Sequence, residues 1–342
     1  MILVRCRAHL VGLFLLLFLQ LFQGALIAEK SSKAHSLSWD EFQRRALIKN
    51  PELAMKLGQQ YRSLEEIKYE SKNLHAISKT YRFIKEISNT LARPAKQGNH
   101  PNHIWKNRNP AFVPFDENRS GREVSGFYYS GSDITTPVQN YMVVQAPKHD
   151  TVDDFFRLLL LRDSRVVVTL VMPEEMGISK CVNYWASEKF PIKIDNWDIY
   201  WRGEFLLAKS SKLPLGYIVK RKFMAENRKT RQTRDITQIH YSNWPDGHPP
   251  YFPLFLKLLD AVDSVAKSSN PITVHCSAGV GRSGTFVIAH SLRKEIRKAK
   301  RSKGFIRVNI PLHLLMMRIQ RKGMVGKVKQ YHMIYKTLAR EA

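Results

Sequence analysis

From Trp39 to about Leu91 the apolar residues Phe42, Leu47, Leu53, Leu57, Tyr61, Leu64, Ile67, Leu74, Ile77, Phe83, Ile84 and Ile87 recur at three- and four-residue intervals. That period places them on one face of amphipathic helices, expected to pack against a larger body. The Gly-, Pro- and Asn-rich stretch from Arg93 to Pro114 predicts loop. Beyond it come short β-type runs at Phe127–Tyr129, Tyr141–Val144 and Val166–Val171, with further candidates at Ile236–Tyr241 and Ile272–His275. Helical patterns lie between them, at Val152–Leu161 and Tyr251–Lys267, and another runs from Gly284 onward. Strands alternating with helices predict an α/β domain.

The first 28 residues stand apart. Arg5 and Arg7 precede an apolar run from Leu10 to Phe22, the pattern of a secretory signal peptide. Gln23 and Leu26 make a poor cleavage site and the stretch is about as long as a membrane span, so a retained signal anchor is the rival reading. Basic residues flank both sides, Arg5 and Arg7 before it and Lys30, Lys33, Arg44 and Arg45 after it, which leaves orientation open. The expected layout is a leader over 1–28, a polar spacer over 29–38, helices over 39–92 and one large catalytic body over 93–342. The chain is thereby expected to be membrane-associated or in the secretory pathway. Only Cys6, Cys181 and Cys276 occur, too few for a disulfide framework. Free thiols suit a reducing compartment, so the body is expected on the cytosolic side if the leader is retained.

Charge adds a class of partner. Lys and Arg number 55 against 29 Asp and Glu, a formal +26, and that field favours phosphoproteins or an anionic membrane surface. The basic residues cluster at Arg228–Arg234 and from Arg293 to Arg307, the latter predicted as an exposed helix face and the loop after it. No zinc-finger spacing, glycine-aromatic signature or repeat accompanies the charge, so nucleic acid is not indicated.

The sharpest chemistry lies in His275-Cys276-Ser277-Ala278-Gly279-Val280-Gly281-Arg282-Ser283-Gly284. A buried-type strand runs into it and a helix leaves it, so backbone amides and the helix dipole converge on one point and bind an anion there. Gly279 and Gly281 permit backbone angles that bulkier residues resist. Arg282 offers a planar pair of donors to two phosphate oxygens. Cys276 attacks phosphorus as a thiolate, the form that positive surroundings favour, and Ser283 can hydrogen-bond the sulfur when it leaves. The set Ser277, Ala278, Gly279, Val280 and Gly281 would hold the phosphate.

These residues, with Lys106-Asn107-Arg108, Pro114-Phe115-Asp116, Gln145-Ala146-Pro147, Lys180-Cys181-Val182-Asn183-Tyr184-Trp185, Trp244-Pro245-Asp246, Arg318-Ile319-Gln320-Arg321 and Gln330-Tyr331, resemble the tyrosine-specific protein phosphatase family in its single-domain form. The resemblance implies a highly twisted mixed β-sheet flanked by helices. It implies Asp246 as general acid and then base on a mobile loop hinged at Trp244. It also implies Glu175 as the carboxylate that orients Arg282, Lys180 as a contact of the acid loop, His275 and Arg321 as supporting residues, and Gln330 as an aid to hydrolysis. Neither metal nor cofactor is called for. Tyr184 and Trp185 read as core packing and Cys181 as a buried, inert thiol.

Three places depart from the family. Asn109 and Ala111 stand where it has a tyrosine that stacks on the substrate ring and an aspartate that grips the substrate backbone. Gly247 and then His248 follow the acid, where a bulky residue and then glycine are usual. Gly326 replaces the glutamine that positions the hydrolytic water. The expected function is a protein tyrosine phosphatase acting on phosphotyrosine proteins through a phosphocysteine. The departures and the basic surface keep two alternatives open, a phosphoinositide phosphatase and a slow-turnover phosphoprotein-binding module.

Overall fold

The computed structural model describes Leu47 and residues 50–342, apart from 186–189, 268 and 305. The leader and spacer expected over 1–28 and 29–38, and Phe42, lie outside the described residues.

Three helices open the described chain: α1 (Pro51–Gly58), α2 (Leu64–Glu70) and α3 (Leu74–Thr90). Each begins where a side chain takes up an unpaired backbone donor. Asn50 accepts from Leu53 N, Ser63 and Glu66 form a reciprocal capping box, and Asn73 accepts from Ala76 N. On α3 the buried residues Ile77, Tyr81, Ile84 and Ser88 follow the helical period and face the body. After the one-turn α4 (Pro101–Ile104) come β1 (Gly131–Thr135), β2 (Asn140–Val144), α5 (Val152–Leu161) and β3 (Val166–Thr169). A small hairpin of β4 (Glu174–Glu175) and β5 (Ile178–Ser179) precedes β6 (Ile192–Ile194), β7 (Trp197–Lys209), β8 (Tyr217–Asn227) and β9 (Thr233–Tyr241). The chain closes with α6 (Phe252–Asp263), β10 (Ile272–His275), α7 (Gly281–Arg301), α8 (Ile310–Gln320) and α9 (Val328–Leu338).

The main sheet has the order β1-β2-β10-β3-β9-β8-β7-β6. Its centre, β2, β10, β3 and β9, is parallel, and both flanks are antiparallel. The central strands β3 and β10 are wholly buried, as parallel strands with both faces covered must be. Alternation splits the core in two: Tyr141, Val143, Val166 and Val168 join the cluster under α6 to α9, while Met142, Val144 and Val167 face α5.

Two expectations need correction. Phe127–Tyr129 is not a strand; the ladder begins at Gly131. The aromatic run is apolar because its rings are buried, with Tyr128 Oη donating to Asn107 Oδ1 at 2.6 Å and Tyr129 Oη to Gln145 O at 3.0 Å. The basic run from Arg293 is not simply an exposed face either. Arg293 is buried and donates to Asp260 at 2.6 Å and Glu341 at 2.8 Å, and Arg297 shares Asp263 and Glu341. Among the described residues, no helix is long and apolar enough to cross a membrane.

Burial opposes the charge on Glu341, but hydrogen bonds from Arg293 and Arg297 outweigh it and hold the carboxyl below its ordinary value. Glu341→Gln is therefore expected to lower the unfolding free energy by about 1–2 kcal/mol at neutral pH. The wild-type advantage is present above the unfolded carboxylate value of about 4.3 and is lost as pH falls through the depressed folded value. Urea unfolding of both proteins across that range checks it.

Candidate active site

Strand β10 ends at His275, the loop runs from Cys276 to Val280, and α7 begins at Gly281, three residues earlier than the sequence pattern predicts. Gly279 has φ +70°, and a Cβ there would stand 2.1 Å from Val144 O, so only glycine fits. At Gly284 a Cβ would meet Val325 N at 2.5 Å, so the missing side chain lets the Met324–Val325 backbone lie directly on α7.

Every loop carbonyl has a partner outside the anion-binding space. Cys276 O faces His275 Nδ1 at 3.2 Å, and Ser277 O accepts from Ala146 N at 2.8 Å. Ala278 O and Gly279 O accept from Arg321 at 3.2 and 2.8 Å, and Val280 O from Val325 N at 3.1 Å. The amides of Ser277, Ala278, Gly279 and Val280 donate to no group among the described residues. Cys276 lies under them, 3% exposed.

Arg282 completes the ring. Its Nη1 donates to the Glu175 carboxylate and to Trp244 O, the latter at 2.7 Å. Its Nε and Nη2 are buried with no hydrogen-bond partner among the described residues, as is Ser283 Oγ. Orphaned buried donors on a cation are costly, so this fork fits a ligand that carries two acceptor oxygens. Burial opposes the charge on Arg282, but Cys276, Glu175 and Asp246 around it raise its pKa above the usual value.

The Trp244–His248 loop sits over this ring. Asp246 Oδ1 lies 3.7 Å from Arg282 Nη2 and Oδ2 lies 3.5 Å from Lys180 Nζ. Its side chain is 61% exposed at the mouth. Trp244 is buried, and its indole N–H donates to His248 O at 2.7 Å, which turns the chain tightly around Gly247. Gln330 also donates to His248 O, at 3.3 Å, while its Oε1 accepts from the amides of Gly326 and Lys327 at 3.0 and 3.2 Å. Gln330 thus caps α9 and ties it to the acid loop.

His275 is fully buried and burial pulls its pKa down to about 4, so it is neutral. Its Nε2 meets Tyr184 Oη at 2.7 Å and Thr169 Oγ1 at 3.0 Å. Tyr184, read from sequence as core packing, therefore also positions the residue before the cysteine. Gln238 donates to both hydroxyls, at 2.7 and 2.9 Å. Sequence reasoning missed Thr169 and Gln238; the signal was a polar residue inside each of two buried β-runs. Arg321 is fully buried, which lowers its pKa to about 10 and leaves it charged at neutral pH. Cys181 is buried, its thiol pushed up to about 12 by burial.

At the rim, Asn109 Oδ1 accepts from Ala111 N at 2.9 Å and caps a short turn at Pro110–Phe112. Phe112 turns onto Gly323, where a Cβ would approach its ring to 2.5 Å, and lines a cavity of about 430 Å³ with Arg318, Lys322 and Gly326. The mouth thus has an amide-capped turn where the resemblance expects a stacking ring.

The protein-tyrosine phosphatase family profile matches residues 103–340. Tyrosine-protein phosphatase 2 of Dictyostelium discoideum is 35% identical over 57% of this chain and 50% of its own length. Human tyrosine-protein phosphatase non-receptor type 20 is 30% identical over 70% of this chain and 54% of its own. Rat receptor-type tyrosine-protein phosphatase V is 28% identical over 79% of this chain and 16% of its own. The chain therefore spans about half or less of these relatives.

Arg282→Lys replaces the fork by a point charge and is expected to weaken tungstate binding by about 100-fold, with the fold retained by circular dichroism. Titration calorimetry checks it.

Proposed function

The chain belongs to the protein-tyrosine phosphatase family, and from that premise we propose that it hydrolyses phosphotyrosine in proteins through a phosphocysteine at Cys276. The observation that carries this reading is the ring of donors around one buried sulfur, four loop amides with the Nε and Nη2 of Arg282, that make no hydrogen bond among the described residues. Such a ring is complementary to the equatorial oxygens of a phosphoryl group in flight. The Cys276 thiolate forms the S–P bond as the P–O bond to the tyrosyl oxygen breaks, and Asp246 gives that oxygen its proton. The Asp246 carboxylate then takes a proton from water, whose oxygen bonds to phosphorus as the S–P bond breaks. Ser283 Oγ is available to donate to the departing sulfur, and inorganic phosphate leaves.

Lys180 and Arg282 hold Asp246 over the ring, Glu175 and Trp244 O aim Arg282, and Gln330 steadies the acid loop. Residues 93–342 would form the catalytic domain and 39–92 its N-terminal helices. One observation favours phosphoinositide monoesters as a second substrate class: Asn109 is spent capping its own turn and Gly247 has no side chain, so neither position supplies a stacking ring. A pure binding module has no use for Asp246 at that position. The apolar run Leu10–Phe22 supports a leader or anchor, and the +26 charge supports an anionic membrane surface as partner.

Initial rates on phosphotyrosine peptides are expected to vanish in Cys276→Ser and to fall by about 10²–10⁴-fold in kcat for Asp246→Asn. Retained turnover in Cys276→Ser contradicts the reading. Gly326 is the slow point: a Cβ there would stay 3.6 Å from Gly281 and Gln330, so a side chain fits. Gly326→Gln is expected to shorten the lifetime of the phosphocysteine about tenfold by orienting the attacking water, as read by quench-flow.

A further inference from the structure

Among the described residues, the outer edge of β7 has a strand partner only at its first three residues, Trp197, Asp198 and Ile199, which pair with β6. Farther along lie Phe205, Leu206 and Leu207, 47, 62 and 42% exposed, with Leu215 at 66% beyond the strand's end. Consecutive strand residues face opposite sides of a sheet, so one docked surface covers one face only. A medium entered edge-on covers all three.

The charge around the run selects the medium. Between Tyr200 and Lys222 stand six cations, Arg202, Lys209, Lys212, Lys220, Arg221 and Lys222, against one carboxylate, Glu204. Glu204 is taken up by Arg221. Lys220 and Lys222 hold their ammonium groups over the Phe205 ring, 5.5 and 5.7 Å from its centre. Arg202 lies 5.8 Å over the Tyr200 ring. Apolar side chains at the tip of a strand edge, cations around them and aromatic rings with polar ends behind is the composition of a segment seated in lipid headgroups. A second copy pairing antiparallel with Phe205 opposite Leu206 would set Arg202 against Lys209.

We propose that the β7–β8 hairpin is a membrane-surface contact, with Phe205, Leu206 and Leu207 in the headgroup layer of an anionic bilayer and Lys209, Lys212, Lys220 and Lys222 on its phosphates. The contact uses none of the groups assigned to the phosphocysteine chemistry, and it stands or falls independently of that reading. Salt weakens it, because the lysine attraction is screened while the apolar seat is not.

The test is peptide-resolved hydrogen exchange on the full chain with vesicles of phosphatidylcholine alone or with about 30% phosphatidylserine. A local readout is needed because the apolar leader could itself hold the chain on lipid. Amides of residues 204–209 are expected to exchange at least about fivefold more slowly on the anionic vesicles, and the protection is expected to fall at high salt. It is also expected to be absent in the Phe205→Ser/Leu206→Ser/Leu207→Ser variant and reduced in Lys220→Glu/Lys222→Glu. Vesicle association without protection of 204–209, equal protection on neutral vesicles, or protection without lipid that grows with protein concentration would each overturn the proposal, the last in favour of self-pairing.

Discussion

Five consecutive carbonyls, from Cys276 to Val280, are each turned away from the anion site toward His275, Ala146, Arg321 or Val325. In a planar trans peptide the C=O and the following N–H point in opposite directions, so anchoring the oxygens outward aims the nitrogens inward. The inward aim of the Ser277–Gly281 amides depends on these outward anchors. Arg321 takes two of the five carbonyls and is fully buried, with Ser132 at 3.3 Å on its remaining side. A positive charge so placed braces the loop and adds to the field at Cys276.

The ring and the acid loop are one mechanical unit. Arg282 Nη1 holds Trp244 O, so the guanidinium with two unbonded nitrogens also bears on the loop that carries Asp246. Gln330 and the Trp244 indole both end on His248 O, closing the far side of that loop. A second line of support reaches from the N-terminal helices. Val325 holds φ +59°, an uncommon conformation for a β-branched residue. It is over-determined there: its carbonyl accepts from Tyr81 and Arg318 while its amide donates to Val280. Helix α3 thereby bears on the last carbonyl of the phosphate loop.

What could be read from sequence follows the range of the interaction. The loop from His275 to Gly284 was legible as a strand-to-helix turn because strand, turn and helix start lie within ten residues. Central strands were legible because burial on both faces makes them continuous apolar runs, as in Val166–Thr169. The β7–β8 hairpin was not, because charged residues interrupt it, Phe205–Leu207 breaks alternation, and the register shifts between Trp201 and Glu204. The burial of Arg293 was hidden for another reason: its carboxylates sit 33 and 48 residues away. Glu175 and Arg282 are 107 residues apart, and nothing but the resemblance could have joined them.

The central claim is that the donors around Cys276 receive a phosphoryl group on its sulfur. Its most direct test is acid quench of the wild-type chain during turnover of a phosphorylated substrate, followed by peptide mass spectrometry. Phosphate is expected on Cys276 and is expected to be absent from Cys276→Ser. Turnover with no phosphate on Cys276, or with the label on another residue, would contradict it.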